Sequence, residues 1–481
     1  MKQNKFSILQ ISDLHKMEGA QYGDLLQKLL DDKIRMAGEG ILPPSFVVVC
    51  GDVIQGAKTE QEIRDQYTEV ESFLNGLVNH YLGGDKHRMI IVPGNHDMNR
   101  VASEASFSDS KKAQEEDYKE YRQHNSDLRW NWKKHKYQRV QDKSKYDSRF
   151  GLFIEFYNRF FYGIRSYPAD PVMEPYTVFF PKENVAFACF NSCCGLDHIN
   201  TSACIPEDVL DSIAPSLNRY RNDGYLTIGV WHHHYYGSPY QVNYLDKAIF
   251  DKMIRYGIGL GLFGHQHLSQ VATEITNLYV QDDDELYRLK RMLLISSGTL
   301  FGGSRELPDG CRRQYNVIEL DMRNGEADVT VHIREDMNPN INSPLPHWVR
   351  KEVNQQGKVI NHLFFKHLSE NEILVNIDHY VRLTGDYPYG CTAVKDLPQM
   401  TTRAMEMYRE YLNEVKDYDT LVSVMGEPDG APDYILLMAS AKRDGNTEAM
   451  KKLVSDAKLI ALCASDEYLK EKYEEMEDLI G

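Results

Sequence analysis

Five short clusters of metal-type ligands, each just past an apolar run, constrain this chain more than any other feature. They are Asp13-Leu14-His15, Gly51-Asp52, Gly94-Asn95-His96-Asp97, His232-His233-His234 and Gly264-His265-Gln266-His267. Lys5 to Ile11 alternates apolar and polar residues into the first cluster, as a strand does. Phe46 to Cys50, Met89 to Val92, Leu226 to Trp231 and Ile258 to Phe263 lead into the other four. Helical stretches at Gly23 to Met36, Gln61 to Leu77 and Leu245 to Arg255 lie between them. Strands alternating with helices predict an α/β fold with a mostly parallel sheet, whose ligands gather beyond the carboxyl ends of the strands. Gly51, Gly94 and Gly264 permit the sharp exits that aim the side chains.

Imidazole nitrogens mixed with Asp and Asn oxygens suit borderline divalent ions: manganese first, with iron, zinc or nickel as alternatives. The clusters contain no thiolate, which argues against a structural zinc site. Two cations held roughly 3.5–4 Å apart need an anion between them. Asp52, with no other ligand beside it, is the candidate bridge. Asp13, His15 and His267 join Asp52 around one metal; Asn95, His233 and His265 join it around the other, with His232 the alternative to His233. Such a pair acidifies a bridging water to hydroxide near neutral pH and is suited to hydrolysing phosphate esters.

The series DLH, GD, GNHD, HH and GHQH resembles the calcineurin-like metallophosphoesterases, over about residues 5 to 335 and with one long insertion. The resemblance implies a four-layer αββα sandwich holding two metals. It implies that His96 contacts the substrate phosphate and aids departure of the leaving group, and that Asp97 orients His96. Asn191-Ser192 and Ser297-Gly298-Thr299 also look like family features. Members usually read His-His-Pro at the fourth motif. Here the chain reads His232-His233-His234-Tyr235, and matching its last two histidines to that pair selects His233. Protein phosphatases of the superfamily carry GNHE and an Arg soon after GD, whereas this chain has Asp97 and no Arg in Val53-Ile54-Gln55-Gly56. Purple acid phosphatases carry DxG at the first motif and a tyrosine ligand where Gln55 stands. The chain is therefore more similar to the phosphodiesterase and nuclease branch, and a nuclease is the expected activity. A phosphodiesterase for cyclic or small nucleotides and a broader phosphomonoesterase are the alternative enzymes. A catalytically silent binding scaffold is the alternative of another class, and the filled ligand positions argue against it.

A net charge of −16 argues against a protein that holds nucleic acid by overall charge. The insertion, about Met98 to Lys182, departs from that average. Between Arg129 and Arg149 stand eight Lys or Arg against two Asp, a local charge of +6, interleaved with Trp130, Trp132, Tyr137 and Tyr146. Basic residues among aromatics can grip a backbone and stack bases; a helical cap with a solvated face and packed aromatics is the plainer reading. Gln114 to Gln123 and Arg149 to Phe161 read as helices, the second with Phe150, Phe153, Ile154, Tyr157 and Phe161 as a buried stripe. The insertion is expected over the metal site.

At 481 residues the chain has room for two or three domains. The boundary is expected near Met337, at the turn-rich Asn338 to Pro344, giving a catalytic domain over 1–336 and a helical accessory domain over 337–481. Helical patterns at Leu397 to Tyr418, Tyr434 to Ala441, Thr447 to Cys463 and Glu467 to Leu479 carry the second domain, which is expected to dock on the core, bind a protein partner or mediate oligomerisation. The eight cysteines show no paired CxxC spacing and read as reduced packing thiols of a cytoplasmic protein. No apolar run approaches a membrane span, and the first strand begins too early to leave room for a signal peptide.

Overall fold

The structure, a computed structural model, describes residues 4–16, 19–123, 126–235, 243–275, 291–303, 306–323, 325–340, 342–353, 357–365 and 374–480, the last without 376, 379, 380, 383, 396, 398 and 399. The chain enters through β1 (Asn4–Ile11), α1 (Tyr22–Gly38), β2 (Phe46–Cys50), α2 (Glu60–Tyr81) and β3 (Met89–Val92). The inserted stretch contains α3 (Arg100–Ala105), β4 (Phe107–Asp109), α4 (Gln114–Tyr121), β5 (Leu128–Asn131), β6 (Lys136–Val140), α5 (Lys143–Asp147) and α6 (Gly151–Phe160). There follow β7 (Tyr176–Phe180), β8 (Val185–Cys189), α7 (Glu207–Asn222), β9 (Leu226–Val230), α8 (Lys247–Tyr256), β10 (Ile258–Phe263), β11 (Gln270–Ile275) and β12 (Arg291–Ser296). Next come β13 (Gln314–Arg323), β14 (Glu326–Asp336), β15 (Trp348–Arg350) and β16 (Val359–Phe364).

Two sheets carry this unit. One has the order β15-β14-β13-β1-β2-β3, with β16 also on β14; the other has β11-β12-β10-β9-β8-β7. The pairs β1–β2 and β2–β3 are parallel, as are β8–β9, β9–β10 and β10–β12, so within each sheet these strands end on one side. The two-residue side-chain period sorts the core into layers. Val47 and Val49 of β2 pack in the cluster formed with α1, α2 and α6, while Phe46, Val48 and Cys50 meet Phe187, Ile228 and Leu262 between the sheets. On the far side Phe190 and Phe263 pack with Leu210, Phe250 and Met253 of α7 and α8. The four-layer αββα sandwich is therefore present.

The helix α2 illustrates the local logic. Thr59 Oγ1 accepts from the Glu62 amide and Glu62 Oε2 accepts from the Thr59 amide, a reciprocal cap on the first turn. Ile63, Tyr67, Val70, Phe73, Leu74 and Leu77 recur at helix spacing and are all buried. The face that packs on the sheet thus also carries Tyr67 toward the site.

Three expectations need correction. The basic, aromatic part of the insertion is not a helical cap. Its strands β4, β6 and β5 form a small antiparallel sheet, in which Trp130 pairs with Tyr137. Alternation of Trp, Tyr and Arg with polar residues across a short turn favours the pleated hairpin. The second expected helix exists as α6, but Phe153, Phe156 and Tyr157 bury it against α2, with Phe156 stacked on Tyr67 at 4.8 Å, rather than over the metal motifs. The domain boundary also lies later than Met337. The larger compact unit runs over Gln3–Leu368, because β15 and β16 pair with β14 and Trp348 and Leu363 are buried in the core. The other unit, from Ser369 onward, is helical: Thr402–Glu414, Tyr418–Val424, Ala431–Arg443, Thr447–Val454, Ala457–Cys463 and Glu467–Ile480 are its longer described stretches after Tyr387–Lys395. The expected helix from Leu397 partly falls at 398 and 399, outside the described residues.

The third correction concerns cysteine. Cys194 and Cys204 form a disulfide, their Cα atoms 5.9 Å apart. Pairing of Cys193 with Cys204 in an isolated bridge brings the two loops together, a proximity that sequence spacing does not reveal. No helix among the described residues is long and apolar enough to cross a membrane.

Candidate metal centre

Every cluster leaves the end of a strand, and the ends converge. Asp13 follows β1, Asp52 follows β2, Asn95 follows β3, His232 follows β9, and His265 and His267 follow β10. Their backbone is held in an unusual shape: Asp13, Asp52, His265 and His267 have φ of 52°, 51°, 75° and 58°, left-handed values that each cost a non-glycine residue roughly 1–3 kcal/mol. Among the described non-glycine residues only His135, Asn184 and Lys416 share this region, so the strain gathers at the candidate ligands.

Two groups of ligand atoms result. In one, Asp13 Oδ1 lies 3.1 Å from His267 Nε2 and 3.6 Å from His15 Nε2. In the other, His232 Nε2 lies 3.0 Å from Asn95 Oδ1, 3.3 Å from Asp52 Oδ2 and 3.3 Å from His265 Nδ1, while His265 Nδ1 is 3.0 Å from Asn95 Oδ1. Asp13, Asp52 and His232 also lie close enough to share an ion, which links the two groups through the carboxylates. Edges of about 3 Å are what ligands at roughly 2.0–2.2 Å from one ion require.

This geometry brings His232, the alternative to His233, into the second group. The Nδ1 of His232 faces the Cys50 carbonyl at 2.8 Å, so Nε2 points to the cluster. His233 has its Nδ1 on Ser192 Oγ at 2.9 Å, its Nε2 buried and unpaired, and its ring 4.5 Å from that of His265, so it borders the same group. His267 is fixed in the same manner, its Nδ1 on the Glu306 carbonyl, whereas His265 Nε2 accepts from the Asn243 side-chain amide at 3.1 Å. Asn243 and Glu306 lie in loops with no motif of their own, and the sequence holds no signal for them.

The donors fit a pair of cations. Both ring nitrogens of His15 and Nε2 of His233 are buried without a hydrogen-bond partner, and leaving such a group unpaired costs about 1–3 kcal/mol. Burial opposes the charge on Asp13, yet His267 holds its carboxyl down at about 2; burial likewise opposes Asp52, and His232 and His96 hold it well below the usual range. Burial pushes His15 down to about 4, and burial with His232 pushes His265 down to about 3, so both rings are neutral and able to donate a lone pair. His232 and His267 are opposed by burial but raised to about 9 by Asp52 and Asp13 respectively. The carboxylates thus draw positive charge to the two places where cations fit.

His96 stands at the cleft with its Nδ1 on the Gln55 carbonyl at 2.8 Å and its Nε2 4.0 Å from Asp52 Oδ2. Asp97 does not orient it. Asp97 Oδ2 accepts from the amides of Gly94 (2.8 Å) and Val53 (3.1 Å), and Oδ1 from the Tyr67 hydroxyl (3.1 Å). Asp97 therefore clamps the two ligand loops to α2, and the ring of His96 is set by a backbone carbonyl instead. Burial, with the charge of Asp52 beside it, pushes the Asp97 carboxyl up to about 7.

Gly94 is required by contact rather than by torsion. A Cβ there would stand 2.1 Å from Asp52 Oδ1 and 2.2 Å from the Asp52 amide nitrogen. Gly94→Ala must push the second and third motifs apart. The expected result is a folded but destabilised protein, by about 1–3 kcal/mol, with weakened metal binding; calorimetry with and without manganese checks both. Ser12 Oγ, 1.9 Å from a Cβ on Gly264, marks a second such approach.

The calcineurin-like phosphoesterase profile matches residues 6–269, more than half of the chain, with all five ligand clusters inside the match. Comparison with curated proteins finds no match. Solved structures with a similar course include a dimetal phosphatase from Danio rerio, 12% identical, covering 75% of this chain and 99% of that chain at a TM-score of 0.37. The protein TT1561 of Thermus thermophilus is 12% identical and covers 66% of this chain and 94% of that chain, TM-score 0.32. A calcineurin-like phosphoesterase, YfkN of Bacillus subtilis, is 10% identical and covers 80% and 99%, TM-score 0.22. On the family match this chain belongs to the calcineurin-like phosphoesterases.

Proposed function

We propose that this phosphoesterase is a manganese-dependent phosphodiesterase acting on nucleic acid. The observation that carries the reading is the cleft over the ligands. It has a volume of about 1140 Å³ and is lined by Asn95, His96, His233 and His265 together with Trp132, Lys133 and Lys134 of the insertion. Pockets that enclose a single drug-sized molecule run to roughly 300–1,000 Å³. A cleft above that range, with cations outside the ligand cluster, suits a substrate that continues past the scissile phosphate.

Asp13, His15, His267 and Asp52 would hold one divalent ion, and Asn95, His232, His265 and Asp52 the other. When bound, such ions neutralise phosphoryl oxygens and make water acidic enough to supply a nucleophile near neutral pH. The remaining chemistry belongs to the chain. Asp52, anionic and buried, links the two groups. His96 donates its Nδ1 proton to the Gln55 carbonyl, so a proton passed to a leaving oxygen departs from Nε2. Asp97 and Tyr67 hold the loops that fix these distances. Incubating end-labelled oligonucleotides with manganese-loaded protein, Asp52→Asn as control, tests the reading. Cleavage by the wild type alone supports a nuclease; no cleavage together with hydrolysis of small phosphodiesters would move the assignment to small nucleotides.

A further inference from the structure

Most of the insertion's positive charge is committed to the fold. Arg129 pairs with Asp197 at 2.9 Å and Arg139 with Glu120 at 2.5 Å, and Lys136 pairs with Asp109. Lys143 and Lys145 face Asp147 and Asp142, and Arg149 donates to the carbonyls of Tyr146, Cys194 and Leu196. Two cations at the hairpin tip, Lys133 and Lys134, form no ion pair among the described residues. They lie in the wall of the cleft together with Arg100, which forms none either.

The tip is also built rather than loose. Asn131 Oδ1 accepts from the amides of both Lys133 and Lys134 at 3.0 Å, and Asn131 Nδ2 is tied to Gln138 Oε1 at 2.7 Å. Between Asn131 and Lys133, Trp132 is 77% exposed. Its ring meets Trp130 edge-on at 5.9 Å, and Trp130 in turn packs on Tyr137 at 4.8 Å, so an aromatic ladder supports a ring that itself stays uncovered. A rigid, exposed tryptophan between braced lysines, in the wall of a catalytic cleft, matches the elements that hold single strands: a stacking face beside cations that track the backbone.

We propose that this hairpin tip is a clamp for single-stranded nucleic acid, with Trp132 stacking on an unpaired base and Lys133, Lys134 and Arg100 holding phosphates that flank the scissile one. The proposal rests on the nuclease reading and names the form of its substrate. Single-strandedness follows from the tryptophan. In a duplex both faces of an internal base are covered by its neighbours, so an external ring has nothing to stack on until the base is unpaired.

The test uses full-length protein carrying Asp52→Asn, so that binding is read without turnover. A fluorescein-labelled single-stranded oligonucleotide and its duplex are titrated by anisotropy across a salt series. Adding Trp132→Ala should weaken single-strand binding roughly 5- to 100-fold and leave duplex binding nearly unchanged, whereas Trp132→Phe, which keeps a stacking face, should retain most of it. Adding Lys133→Ala with Lys134→Ala should flatten the slope of log K against log salt by about 1.4, two single-strand phosphate contacts. Single-strand binding within two-fold of the parent in Trp132→Ala, or an equal loss for single strand and duplex, overturns the clamp. An unchanged salt slope overturns the role of the lysines even where a tryptophan variant proves unstable. Absence of cleavage by manganese-loaded wild type, with these binding effects intact, would remove the nuclease reading and leave the clamp standing.

Discussion

Asp52→Asn is expected to abolish turnover and the metal-dependent rise in melting temperature, while leaving the far-ultraviolet circular dichroism of the wild type. The substitution is nearly isosteric at a residue 1% exposed, so packing is kept. What changes is charge and donor capacity. One carboxylate oxygen accepts from the His96 amide at 2.8 Å and the other lies 3.3 Å from His232 Nε2, in reach of both ligand groups through Asp13. An amide brings no negative charge and turns an N–H toward one of these neighbours. Two cations then repel without an anion between them. A ligand present at a hundred times its dissociation constant stabilises the native state by about 2.7 kcal/mol. Scanning calorimetry with and without manganese reads that term directly, and its persistence in Asp52→Asn, with turnover, would remove Asp52 from the centre.

His96→Ala has the second large effect, of a different kind. Metal binding should be retained, because no ligand is lost, and turnover should fall by about 10²–10⁴-fold on a diester with an alkoxide leaving group. With a p-nitrophenolate leaving group, which needs little proton assistance, the loss should be much smaller. The effect follows from position: Nδ1 is committed to the Gln55 carbonyl, and Nε2 faces the cleft beside Asp52. Equal losses on the two substrates would make His96 a phosphate-binding residue rather than a proton donor.

The fold was legible in the sequence because its periodicities are strong. Runs such as Phe46 to Cys50 and Met89 to Val92 are continuous apolar stretches, as strands buried on both faces must be, and the metal-type residues fall just beyond them. Asp13, His15, Asp52, Asn95, His265 and His267 all come together in the structure. What was not legible shares a cause. Adjacent histidines are chemically identical in sequence, and only the Cys50 carbonyl and Ser192, far away in the chain, set how the rings of His232 and His233 are held. Asp97 sits beside His96, yet its three donors come from Gly94, Val53 and Tyr67, a tertiary arrangement no local pattern encodes. The insertion misled because hairpin and helix both tolerate dense Lys and Arg, and because β5 and β6 are only four and five residues long. The disulfide was hidden by the reverse effect, as Cys194 and Cys204 look like two of eight scattered thiols until their loops meet.

The stoichiometry of manganese bound to the native chain, measured by isothermal titration with elemental analysis of the dialysed protein, tests the centre most directly. Two ions per chain are expected in the wild type, with loss of one in His232→Ala. A single ion in the wild type, or two ions retained in His232→Ala, would contradict the two-metal centre.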